Sequence, residues 1–138
     1  MKRKKEKFKL RVARREGFYV YDEPHHTLMI VEMEGEPIEY EKGVAGKFVS
    51  RRSVTVHDRI GGHGLMDGYV MAYFEHGAAY SRFKGHRDGS TKVSEGTWET
   101  YRATGKLAGM AGRGTFKVSP GEGWSEYILE LEGEYEAA

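Results

Sequence analysis

Glu32 is the acid best placed for proton chemistry. It follows the apolar run Leu28–Val31 and, on a strand, shares a face with Leu28 and Ile30. If that face points into a cavity, burial raises a carboxyl pKa and suits the group to proton transfer. The alternative is a strand that emerges into solvent at Glu32, with Glu34 beside it. Arg82 shares a face with Tyr80 and is a candidate anchor for an anionic ligand, against the alternative of a surface ion pair. Tyr73, Trp98 and Tyr101, together with Tyr69, are candidate cavity walls. There a ring packs against an apolar ligand and its polar tip donates a hydrogen bond. The same aromatics serve equally well as core or interface.

Other chemistries are poorly supported. Histidines stand at 25, 26, 57, 63, 76 and 86, with no His-x-His and no His-Glu-x-x-His, so no metal site is expected. The absence of cysteine excludes thiol catalysis, disulfides and cysteine-ligated zinc. No Gly-x-Ser-x-Gly elbow supports a serine hydrolase. The cluster Gly105, Gly109, Gly112 and Gly114 lacks the Lys-Ser/Thr of a phosphate loop. Those glycines are expected to give positive φ angles and a tight bend between two strands. No cofactor is expected.

The elements that must position these residues are strands. Period-2 patterns occupy Glu6–Arg15, Phe18–Tyr21, Thr27–Glu34, Gly46–Arg59, Leu65–Glu75, Ala78–Gly85, Thr91–Arg102, Gly114–Ser119 and Ser125–Tyr135. Turn signals separate most of them: Glu-Gly at 16–17, Gly-Glu-Pro at 35–37, Gly-Gly-His-Gly at 61–64, His-Gly at 76–77, Asp-Gly at 88–89 and Pro-Gly at 120–121. Such short connections favour antiparallel hairpins over helical crossovers. About eight strands suffice to close a barrel that holds side chains or one small ligand.

The segment from Gly96 through Trp98, Tyr101, Gly105, Gly109, Gly112 and Gly114 to Phe116, closing with Leu131-Glu-Gly133-Glu-Tyr135, resembles bacterial proteins of the allene oxide cyclase-like barrel group. Dirigent proteins share a similar glycine bend. The resemblance covers residues 65–135, and the first 60 only by strand rhythm. It implies a closed eight-stranded antiparallel barrel with a central cavity, often oligomeric, whose characterised members are cyclases or stereochemical guides. The shared motif is structural glycine, so no active-site position is carried over.

The fold expected is therefore all-β: a single closed antiparallel eight-stranded β-barrel, allene oxide cyclase-like or lipocalin-like. At 138 residues the chain suits one domain, assigned to 6–138 behind a flexible basic tail at 1–5. The expected function is a cavity protein for an apolar small molecule. It is read as a cofactor-independent cyclase or isomerase, or as a non-catalytic ligand-binding barrel, or as a structural, oligomeric protein. Glu32 would carry proton transfer; Tyr73, Arg82, Trp98 and Tyr101 would line the site.

Charge and composition bear on partners. Residues 1–15 hold nine basic residues and one acid, and the remainder 13 basic and 20 acidic. The alternation of Phe8, Leu10 and Val12 with Lys7, Lys9 and Arg11 favours a basic first strand paired with an acidic last strand. Lys9 and Arg11 are then expected near Glu130, Glu132 or Glu134. Nucleic acid is not an expected partner. Leu28–Val31 and Tyr69–Phe74 are apolar on both faces, which points to a homo-oligomer. No apolar run approaches 18 residues and no signal-like segment follows the charged start. The expectation is therefore a cytoplasmic protein without membrane contact. The chain contains no Asn and no Gln, which points to a heat-adapted source.

Overall fold

A computed structural model describes residues 2–137. Eight strands follow one another: β1 (Lys2–Tyr19), β2 (His26–Glu39), β3 (Phe48–Ile60), β4 (His63–Phe74), β5 (Gly77–Asp88), β6 (Val93–Gly105), β7 (Ala111–Pro120) and β8 (Glu126–Glu136). Each pairs antiparallel with the next, and β8 returns to β1, which closes the barrel. No helix occurs among the described residues, and none is long and apolar enough to cross a membrane.

Three expected boundaries differ. The Gly35-Glu36-Pro37 signal makes no turn: β2 runs through it to Glu39, because β1 pairs with all three residues. The segments at 6–15 and 18–21 are joined, because the chain passes through Glu16-Gly17 without turning. A Cβ on Gly17 would lie 3.1 Å from Cγ of Met29, so the missing side chain leaves room for the neighbouring strand's methionine. Residues 2–5 are strand and not a flexible tail. Lys2 pairs with Tyr135 and Lys5 with Glu132, so β8 supplies the partner that orders them. Met1 lies outside the described residues. By contrast the β3–β4 hairpin turns where expected, on Gly61 and Gly62, both with positive φ (58° and 82°).

The first and last strands pair, in a different register from that expected. Lys7 faces Glu130, but Lys9 faces Ile128 and Arg11 faces Glu126. Among the described residues, the ion pairs between these strands are Lys5 to Glu132 at 3.2 Å, Lys9 to Glu126 at 3.2 Å, and Arg3 to Glu134 at 3.5 Å and to Glu132 at 3.9 Å. Exposed pairs of this kind each contribute roughly 0–1 kcal/mol.

The core lies inside the barrel, where Phe8, Leu10, Met66, Trp98, Phe116 and Leu129 form one buried cluster. Gly133 faces the same space, and a Cβ there would overlap the Trp98 ring. Within the glycine bend, Gly105 and Gly109 do take positive φ (61° and 79°), whereas Gly112 and Gly114 are ordinary residues of β7.

Candidate functional site

The barrel interior forms a cavity of about 640 Å³ that is partly open to solvent. Apolar side chains from β1, β4, β7 and β8 form much of its wall, among them Leu10, Val70, Phe116 and Leu129. β3 is different. Its inward row reads Arg51, Ser53, Thr55, His57 and Arg59, polar at every position and buried except at half-buried Arg59. The intervening Val54 and Val56 face outward and are 36% and 42% exposed, whereas Ser53 and Thr55 are 4% and 5% exposed. This strand is inverted relative to the usual apolar-in pattern. A second polar spot is the Ser81–Thr100 hydroxyl pair at 3.0 Å.

The two ends of the cavity have different charge chemistry. At one end the Tyr135 hydroxyl donates to Oε1 of Glu6 at 3.0 Å. Burial first, then the Glu6 charge, pushes the Tyr135 pKa well up. Arg51 lies over the Phe8 ring at 5.4 Å, and burial lowers its pKa to about 10 against the opposing pull of Glu6. The connection between β2 and β3 reaches over this end. There Tyr40 stacks on Phe74 at 6.0 Å, and Ala45 is buried. At the other end stand His57, Arg59, Arg87 and Arg15. Burial, followed by the Arg59, Arg87 and Arg15 charges, pushes the His57 pKa down to about 3, so the imidazole is neutral. Its Nδ1 can then accept from the Arg59 guanidinium, 3.2 Å away.

Of the five residues expected at the site, Trp98 lines the cavity. Its Nε1 donates to the Thr115 carbonyl at 3.2 Å, and its ring packs on Tyr135 with centroids 5.5 Å apart. The other four stand on the outer wall. Val31 and Met33 point inward, so the pleat turns Glu32 outward, where it pairs with Arg52 at 3.4 Å. Ala72 and Phe74 likewise turn Tyr73 out, against Tyr80. Ser81 and Phe83 turn Arg82 out, beside Asp67 at 3.5 Å and over the Tyr69 ring at 5.6 Å. Trp98 and Thr100 turn Tyr101 out, edge-on to Tyr69. Glu32 therefore cannot serve as the acid–base group of the cavity. Glu6 is the carboxylate that lines it among the described residues.

The inward row of β3 went unrecognised in the sequence although its signal is plain. Alternation from Arg51 to Arg59 is strict, and only the assumption that valine faces inward hides the polar wall. The histidines form no metal centre: among the described residues, no three His, Cys, Asp or Glu side chains gather to hold an ion. His26 instead bridges Asp22 and Asp58, each at 2.6 Å. The Asp22 hydrogen bond, then that of Asp58, raises its pKa. No protein-family model matches the chain, and no curated protein matches it in sequence.

Proposed function

We propose that this protein is a ligand-binding barrel that encloses an apolar small molecule. The cavity carries the reading. Its volume of about 640 Å³ lies within the roughly 300–1,000 Å³ common to small-molecule sites, and much of its wall is apolar. The polar β3 row supplies the few directional groups that orient a ligand in such a site. Purified protein is extracted with organic solvent and the extract read by mass spectrometry. A single apolar species at near-stoichiometric amount is expected. An empty extract, with no uptake of an added apolar fluorophore, refutes the reading.

One observation favours a second reading, a cofactor-independent cyclase or isomerase of the kind the family resemblance implies. Glu6 and Tyr135 place a proton acceptor and a hydroxyl together at the cavity wall. Such a site would work by holding a flexible substrate near its reactive conformation. Glu6→Gln keeps the volume and removes the proton-accepting carboxylate. Turnover of the extracted ligand should then vanish while its binding persists; unchanged turnover refutes a role for Glu6.

The outer wall supports assembly into a homo-oligomer. Ile30, Val56, Leu65 and Tyr69 are all exposed on the contiguous strands β2 to β4, at 50%, 42%, 70% and 47%.

A further inference from the structure

The end of the cavity that holds Arg59 has no internal counter-charge. Arg15 of β1, Arg59 of β3 and Arg87 of β5 converge there from three strands. Among the described residues none of the three forms an ion pair. Four acids on the strands at this end are engaged elsewhere. Asp58 binds His26, Glu126 binds Lys9, Glu16 binds Arg14, and Asp88 accepts from the Ser90 hydroxyl at 2.6 Å. Two of the guanidiniums are held in place from behind. Arg87 donates to the Gly62 carbonyl at 2.7 Å, and Arg59 contacts His57. Nε of Arg59 is buried with no hydrogen-bond partner. A buried donor left unmade is costly, and grouped, partly desolvated cations more so, unless an anion joins them.

We infer that this end binds the oxyanion head of an amphiphilic ligand whose apolar body fills the barrel. The inference rests on the ligand-barrel reading above and names the ligand class. Guanidinium forks suit a carboxylate, sulfonate or phosphate, to which they present paired N–H donors. The opposite end also carries cations, Lys2, Lys4, Arg51 and Lys106, but Glu6 stands among them, and among the described residues the buried unpartnered donor lies at the Arg59 end. An entering head group therefore has one preferred direction, and the ligand lies in one orientation. Neutral His57 fits the same scheme: its pKa is held down in part by the arginines that the anion would neutralise.

The test uses two fluorophores with a shared apolar body. 8-Anilino-1-naphthalenesulfonate carries a sulfonate, and N-phenyl-1-naphthylamine carries none. Both are titrated into the full chain at fixed ionic strength. The sulfonate should bind roughly ten- to hundredfold more tightly, the range expected for charge-assisted hydrogen bonds. Arg59→Met and, separately, Arg87→Met should bring its affinity down to that of the neutral probe while leaving the neutral probe unchanged. Lys106→Met, at the far end and outside the β3 row, should preserve the preference. Circular dichroism checks each variant's fold, and either variant at this end suffices if the other does not fold. Equal affinity of the two probes for the unaltered chain overturns the inference and leaves the cavity reading standing. So does a preference that survives both variants, or one that Lys106→Met abolishes. Failure of both probes to bind overturns the cavity reading, and the inference with it.

Discussion

Acidification below neutral pH should destabilise this barrel through His57. The imidazole is 5% exposed and faces Arg59 on its own strand, Arg87 on β5 and Arg15 on β1. Its folded pKa lies near 3, against about 6.5 in an unfolded chain. Between those values the unfolded state binds a proton that the folded state refuses, so stability falls as pH falls. At pH 5 this one group withdraws about 2 kcal/mol relative to neutral pH, rising to about 4 kcal/mol near pH 3. His26 acts in the opposite sense. Its raised pKa gives stability that is present at low pH and lost as pH rises through the folded value. The comparison that isolates His57 is therefore with His57→Gln, which retains a hydrogen-bond acceptor for Arg59 but does not titrate. Urea unfolding of both proteins from pH 7.5 to 5 should show stability curves that diverge by about 2 kcal/mol at the acid end, with the native protein steeper. Parallel curves would refute the placement of a neutral histidine among three arginines. Imidazole resonances of His57 that titrate near pH 6.5 would do the same.

Three other outcomes are open to direct measurement. Gly133→Ala should cost about 1–3 kcal/mol and lower the melting temperature, because the new methyl meets the Trp98 ring and the Arg113 carbonyl at once; an unchanged midpoint would show that Trp98 can move. Light scattering at micromolar concentration should report a mass well above 15.7 kDa, and Tyr69→Glu should shift it towards the monomer; a monomer at the outset refutes assembly through the outer wall. The chain without Asn or Gln should melt above the roughly 45–65 °C typical of mesophilic domains, and a scan with its midpoint inside that range rejects heat adaptation.

The barrel was legible because its strands alternate and its turns are marked. The glycine pair at 61–62 and the opposed charges of β1 and β8 suffice to place a hairpin and a closure. Facing was not legible to the same degree. On β2 and β4 both faces are apolar, so a period of two identifies a strand without saying which side turns inward, and Glu32 and Tyr73 fell on the wrong side. A strand's pleat inverts every facing with a shift of one residue. On β3 the alternation is clean but reversed, since a cavity wall can be polar where a filled core cannot. Trp98 was recoverable because a large aromatic followed by glycine-rich β7 needs interior room. The arginine end was not, because Arg15, Arg59 and Arg87 are far apart in sequence and meet only once the barrel closes.

That closure joins the two ends of the chain, which has a consequence for how the molecule is made. β1 finds β2 early, but its other edge stays open until β8 has been synthesised, and contacts of such long sequence separation form slowly. An open edge in a nascent sheet invites pairing with another chain. Here that edge carries Lys5, Lys7 and Lys9, so two unfinished copies repel one another when β1 approaches β1. The acid-rich β8 complements it, with Lys5 paired to Glu132 and Lys9 to Glu126. Charge segregation along the sequence thus favours the pairing that closes the barrel over the pairing of two copies of β1.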